Sequence, residues 1–357
     1  MASPERIGSF DVVRRVGAGG MGEIFLGRRP EDGEYVAIKR LIRQASKDPV
    51  FVGMFLDEGR LAARLTHPKI VRLFELGESP EGHYLAIEWV DGGSLRELLE
   101  RSKPKGPLPV DLIVRIGVDV AEALAYAHVL RDERDTPLEI VHRDVSPANV
   151  MVSFAGQAKL LDFGLAKARD QLQKTQPGMV KGKFGYLAPE QLAGTSDGRT
   201  DLFALGLVLW ELLAGRKYFD HETAAATVAA VRQHAACASI RTLRPDVPAA
   251  LDQLLQRVTA ADPKRRPANA GAFREALLRA TPAATPEALG EHVKATFPDR
   301  MEEVNRGSFV DMDGSSDFPG LRTTEIEAQR ARGVPWVAVA LGALAIGGAV
   351  AFAVFGS

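Results

Sequence analysis

Cysteine is nearly missing from this chain: among 357 residues there is one, Cys237. A single thiol excludes an intrachain disulfide and the stapled folds that depend on one, and it fits a reducing compartment, where such a residue serves as a small buried hydrophobe. Charge of one sign is lacking too. Lys+Arg number 45 against 46 Asp+Glu, a formal net charge of −1, so no global field draws the chain to nucleic acid or an anionic surface. The opening MASPERIGSF has no apolar run, and no secretory signal is expected there. No internal repeat is found. Apolar material is plentiful: hydrophobic residues make up 46%, enough for a sizeable core in one large domain or two ordinary ones.

One apolar run stands apart. From Val334 to Phe355, 22 residues (VPWVAVALGALAIGGAVAFAVF) carry no charge. As a helix they span about 33 Å, which matches a hydrocarbon core of about 30 Å. A buried core helix is the alternative, and it would need a partner surface on every side. Arg322, Arg330 and Arg332 precede the run, while Gly356 and Ser357 follow it. Positive-inside bias then predicts a single-pass protein of the cell inner membrane with its N-terminal part in the cytoplasm. Ala338/Gly342 and Ala343/Gly347 permit close helix–helix approach, although such pairs arise easily by chance in an alanine-rich span.

Along the rest of the chain the texture changes once. Residues 10–40 alternate like strands (VVRRV, EIFLGRR and YVAIKRL), broken by a glycine-rich turn and by Asp32-Gly33. Residues 51–65 read as an amphipathic helix with apolar points at Phe51, Phe55, Leu61 and Leu65. Two further strand-like runs follow, IVRLFELG and HYLAIEWV. Residues 112–130 and 202–215 are then helical in length and composition. A small β-rich lobe followed by a larger helical lobe is expected. TPEALGEHVKATF (285–297) adds a helix capped by Thr285 with Pro286 in its first turn, and the polar 305–333 reads as a flexible linker.

The chemistry-bearing residues come in series. Gly17-Ala18-Gly19-Gly20-Met21-Gly22 is a GxGxxG run, by itself a weak signal. A dinucleotide-binding unit would need a helix next, but here a strand with Ile24 and Leu26 follows. A strand–loop–strand of this kind folds over phosphates, because glycine lets backbone amides approach the oxygens. Val36-Ala37-Ile38-Lys39 places a lysine on the next strand, in reach of phosphates. Glu58 on the following helix could hold that lysine, with Asp57 as its rival. In His142-Arg143-Asp144-Val145-Ser146-Pro147-Ala148-Asn149, Asp144 can take a hydroxyl proton and Asn149 can bind a divalent cation through its amide oxygen. Asp162-Phe163-Gly164 adds a carboxylate suited to Mg²⁺, and Ala188-Pro189-Glu190 comes after it.

In that order and at those spacings, the six motifs make residues 8–278 resemble the eukaryotic-like protein kinases of bacteria. GAGGMGEIFLG, DVSPANV and the stretch RDERDTPLEI before His142 carry the bacterial likeness, and His67-Pro68 favours Glu58 over Asp57. The resemblance implies an α+β bilobal kinase fold; beyond it, the sequence pattern is expected to give 279–304 as a helical extension, 305–333 as linker and 334–355 as membrane helix. The resemblance implies Lys39 and Glu58 as an ion pair, Asp144 as catalytic base, and Asn149 and Asp162 as ligands of Mg²⁺ or Mn²⁺ beside ATP. It also places adenine among Val16, Ile24, Ala37 and Met151. Glu88 and Val90 become hinge contacts, Ile87 the gatekeeper, and Gly17 to Gly22 the phosphate flap. Asp201, Gly206 and Arg266 match as well, Arg266 as the partner of Glu190. The implied activity is phosphorylation of protein serine or threonine, with self-association for trans-autophosphorylation. A membrane-anchored ATP-binding pseudokinase or scaffold is the second reading.

Two positions depart from the family. A lysine is usual two residues after the catalytic aspartate, where this chain has Ser146; a threonine is usual after Gly182, where it has Lys183. An exchange of roles would make Lys183 a catalytic cation, while two unrelated substitutions would leave it solvated. Between Asp162 and Glu190 the one serine or threonine is Thr175, expected to be a phosphosite gripped by Arg143.

Overall fold

The computed structural model describes residues 5–18, 22–163, 184–234 and 236–306. Gly19, Gly20 and Met21 of the glycine loop, Gly164, Thr175, Lys183 and the 334–355 run lie outside the described residues. Among those that are described, no helix is long and apolar enough to cross a membrane.

The first lobe is a six-stranded antiparallel sheet in the order β1-β2-β3-β4-β6-β5, made of β1 (Arg6–Ile7), β2 (Phe10–Ala18), β3 (Gly22–Arg28), β4 (Tyr35–Leu41), β5 (Leu73–Ser79) and β6 (Gly82–Glu88). Alternation within YVAIKRL decides its orientation. Val36 and Ile38 are fully buried with Ile7, Phe10, Phe25, Tyr84 and Ala86 on one face, so Ala37 and Lys39 must point to the other. Helix α1 (Pro49–Ala62) packs on β5 and β6 through Phe55 and Leu85. It begins two residues before the expected 51 because Asp48 caps it, accepting from the Val50 N–H, with Pro49 in the first turn. Ile70 and Val71, expected in a strand, instead bridge to Leu160 in the other lobe.

Crossing to the second lobe, the chain passes through β7 (Gly92–Ser94), which pairs with β8 (Val150–Ser153) and through it with β9 (Ala158–Leu160). Helix α2 (Leu95–Ser102) starts at once, with Ser94 and Glu97 forming a capping box. Helices α3 (Val110–His128) and α4 (Gly198–Ala214) lie at the centre of the core. Helix α4 is buried on every side, as an apolar sequence without a polar face requires. It begins ahead of the expected 202 because Asp197 and Thr200 close a capping box there. Helices α5 (Ala224–Arg232), α6 (Ala249–Val258) and α7 (Ala270–Ala280) complete the lobe.

The extension differs from its sequence reading. One helix was expected, but there are two, α8 (Pro286–Thr296) and α9 (Pro298–Arg306). Phe297 leaves helical geometry (φ −122°, ψ 56°), and Pro298, which has no N–H to continue the ladder, opens the next helix. Helix α9 therefore runs two residues into the stretch expected to be linker from 305.

Candidate active site

Register brings the first group together. Ile24 on β3 and Leu85 on β6 flank Lys39 of β4, Gly17 on β2 pairs with Ile24, and Ala37 pairs with Ile87. Lys39 Nζ lies 2.7 Å from Glu58 Oε1, whose side chain is only 5% exposed. Asp57 points to solvent and pairs with Arg60, which settles the choice in favour of Glu58. Lys39 Nζ also lies 3.7 Å from Asp162 Oδ1, so one ammonium ties β4 both to α1 and to the turn that follows β9.

Asp162 holds its place in a left-handed conformation (φ 53°) that a carboxylate residue adopts at some cost. The neighbouring Phe163 is buried and meets the His142 ring edge-on at 4.6 Å. His142 Nε2–H donates to the Leu161 carbonyl (2.7 Å), while Nδ1 accepts from the Asp144 N–H (3.2 Å), and these two bonds define the tautomer. One imidazole thus links the loop of Asp144 to the turn that delivers Asp162.

The loop itself is pinned from below. Asp201, at the start of α4, is fully buried and accepts from the N–H groups of His142 (2.8 Å) and Arg143 (2.7 Å) and from His128 Nε2 (2.8 Å). Arg143 takes φ 65° there. Asn149 Nδ2 donates to the Asp144 carbonyl (2.7 Å) and the Asn149 carbonyl accepts from Leu161 N–H (2.9 Å). With its amide nitrogen used, Asn149 keeps Oδ1 as an acceptor, immediately before β8, whose partner β9 leads to Asp162. Two hard oxygen donors of this kind fit Mg²⁺, so the residues present suit the ion that the family implies. Ser146 is buried and extended (φ −156°, ψ 162°), and its carbonyl accepts from the Asn149 N–H (3.0 Å).

An apolar bed lies beside these groups. Val71, Val90 and Met151 are buried together against Ile87 and Leu161, and Val16 is buried on β2. Of the two hinge residues, Glu88 gives its N–H to the Arg72 carbonyl, so a bond from it to a ligand must come from its own carbonyl. Its carboxylate pairs with Lys159. At the far end of the site, Arg266 makes a two-pronged bond with Glu190 (2.6 and 2.8 Å). Tyr186 donates to Glu211, and burial raises both the phenol and the carboxyl above their ordinary values.

The structure thus brings Lys39, Glu58 and Asp162 to one pocket and ties Asp144 and Asn149 to the Asp162 turn through His142 and Leu161, while Val90 and Met151 lie in the apolar bed beside them and Ile24 and Ala37 lie next to Lys39 in the sheet. His128, which orients Asp201, was missed by sequence reasoning, and no motif or spacing points to it. The contacts of Arg300 and α9 with the hinge were missed as well, since nothing in 298–306 marks it as a neighbour of the hinge, although 279–304 was expected to be helical.

Residues 10–278 match the protein kinase domain. The chain is 41% identical over 277 residues to the tyrosine-protein kinase MasK of Myxococcus xanthus, a match covering 76% of this chain and 42% of that protein. It is 34% identical over 260 residues to the serine/threonine-protein kinase PrkC of Bacillus subtilis, covering 72% and 38%. It also superposes on the kinase domain of PknI from Mycobacterium tuberculosis with a TM-score of 0.59 at 32% identity, covering 79% of this chain and 99% of that one. The chain spans about two fifths of the length of these curated relatives. A domain match over most of the chain, joined to this geometry, places it in the protein kinase family, in its bacterial eukaryotic-like branch.

Proposed function

We propose that this chain transfers the γ-phosphoryl group of ATP to serine or threonine hydroxyls of proteins. The observation that carries the reading is the Lys39–Glu58 ion pair, reaching on to Asp162, whose turn His142 and Leu161 connect to Asp144 and Asn149. Lys39 is placed to hold the α- and β-phosphates, and Glu58 keeps its ammonium aimed. Asp144 orients the acceptor hydroxyl and takes its proton as that oxygen bonds to the γ-phosphorus. The bond from phosphorus to the β,γ-bridging oxygen breaks, and ADP leaves with the electron pair. Asn149 and Asp162 would hold Mg²⁺ or Mn²⁺, which supplies charge neutralisation at the phosphates. Positioning and electrostatics are the protein's main contribution.

MasK, which bears the name of a tyrosine kinase, makes tyrosine the competing acceptor. Ser146, standing where the family has a lysine, keeps the pseudokinase reading in view; a catalytic role for Lys183 would answer it. We also read Thr175 as an autophosphorylation site paired with Arg143 and reached in trans by a second copy. The uncharged 334–355 run, with arginines before it, is read as a tether to the inner membrane. One experiment addresses the activity. Purified protein with labelled ATP and Mg²⁺ should yield phosphoserine or phosphothreonine, and Lys39→Met should abolish the label. Phosphotyrosine alone would favour the acceptor suggested by MasK, and no label at all the pseudokinase.

A further inference from the structure

Phosphoryl transfer makes no demand on the chain beyond residue 278, where the domain match ends. Yet α8 and α9 are built onto the outer side of the cleft. Phe297, between them, is fully buried, and a Cβ placed on Gly93 would come within 2.3 Å of its ring, so β7 meets Phe297 at backbone distance. The guanidinium groups of Arg101 and Arg300 lie over that ring at 4.7 and 5.2 Å. Arg101 binds Asp299 through two bonds (2.6 and 3.0 Å). Arg300 donates to the Gly92 carbonyl (2.8 Å), where the chain leaves the hinge, and to Glu97 (2.5 Å), the residue that closes the cap of α2. Met301 joins Trp89 and Val90 in lining a cavity behind the hinge.

Glu303 of α9 reaches the other lobe. Glu303 Oε2 lies 3.7 Å from Arg14 Nη2 of β2, and the two side chains are only 19% and 9% exposed. Along β2, Val13 and Arg15 face solvent while Arg14 and Val16 turn inward. The pair therefore sits two residues before Val16, on the strand that runs into the glycine loop. An ion pair so far withdrawn from water is weakly screened, and losing one partner leaves a charge without compensation.

We propose that α9 is a strut between the lobes. Arg300 seats it on the hinge, and the Glu303–Arg14 pair sets how closely β2 lies over bound nucleotide. Arg14 and Glu303 are positioning residues for ATP, acting through β2 and not on the transferred group. The inference rests on the reading of the cleft as an ATP site. Loss of the pair should loosen the roof over the nucleotide, raising Kd and KM for ATP while leaving kcat nearly unchanged, because α9 touches none of the groups that perform the transfer.

The test is a charge swap read by direct binding of a fluorescent ATP analogue to the full chain, with melting curves recorded alongside. Glu303→Gln and Arg14→Glu should each weaken binding by about three- to tenfold, and the double variant Arg14→Glu/Glu303→Arg should return to within about twofold of wild type. Where a reversal lowers melting enough to obscure binding, Glu303→Gln, which keeps size and shape, decides the matter. Binding within about twofold of wild type in Glu303→Gln, or a loss in Arg14→Glu that the swap does not recover, overturns the strut. Failure of the wild-type chain to bind the analogue overturns instead the reading of the cleft, and binding needs no catalysis, so the two failures are distinct.

Discussion

Arg266 offers the sharpest quantitative check on the packing. Its side chain has no exposure, and it uses every donor it has. Nε goes to the Ala260 carbonyl, Nη1 to Glu190 and the Arg199 carbonyl, and Nη2 to Glu190 and the Ala261 carbonyl, at 2.6 to 3.1 Å. The Phe203 ring lies 4.7 Å beneath it. Arg266→Met keeps the apolar bulk but strands a carboxylate and three carbonyls. Breaking a buried pair from one side costs about 3–5 kcal/mol, against a total stability of about 5–15. Arg266→Lys retains the charge with three donors in place of five and no planar fork, so about 2–3 kcal/mol is expected. Removing both partners as Arg266→Met/Glu190→Gln should cost less than the sum of the singles by about 1–3 kcal/mol. Urea unfolding monitored by fluorescence and circular dichroism measures the wild type, these three variants and Glu190→Gln alone. A loss under about 1 kcal/mol for Arg266→Met, or strict additivity in the double variant, would refute the account.

Two further outcomes follow from burial. Desolvation pushes the Cys237 thiol up to about 12, so the native protein should resist iodoacetamide at pH 8 and react once unfolded in urea; prompt native alkylation would contradict this. Burial lowers the His234 pKa, and the ring N–H donates to the Thr259 carbonyl at 2.9 Å; burial lowers His67 as well. Below about pH 6.5 the unfolded chain takes up protons that the folded one resists, so stability is greatest above that value and declines toward pH 5. Unfolding free energies that stay level between pH 7.5 and 5 would count against it.

The motif-bearing half of the site was legible because each motif is a local demand on chemistry. A phosphate-binding lysine, a proton acceptor and two oxygen ligands must be those residue types, and β alternation then says which face Lys39 takes. Choosing Glu58 over Asp57 required the structure in the end: neighbours on a helix point about 100° apart, and only the register of α1 on the sheet shows which is buried. Helix starts were misjudged where a polar cap precedes the apolar pattern, as at Asp48 and Asp197. Of the supports, Asp201 and the Arg266–Glu190 pair were expected from the resemblance, while others were not legible at all. His128 reaches Asp201 across 73 residues, and Arg300 reaches Glu97 across 203. Such pairs are set by how helices pack, and one sequence carries no signal of them.

The loop's backbone bears on whether this site is catalytic or only a scaffold. Ser146 removes a charge from the catalytic loop, yet the loop's geometry does not depend on that position. It is held by Asp201 with its three donors, by the Asn149–Asp144 bond and by His142 between Leu161 and Phe163. Those supports keep two non-glycine residues, Arg143 at φ 65° and Asp162 at φ 53°, in the left-handed region, at about 1–3 kcal/mol each. Arginine lacks the short polar side chain that eases this conformation, so Arg143 bears the larger share. A module that merely held ATP would gain nothing from such strain at the loop of the base. Its presence beside an intact Lys39–Glu58 pair supports the transferase reading over that of a scaffold.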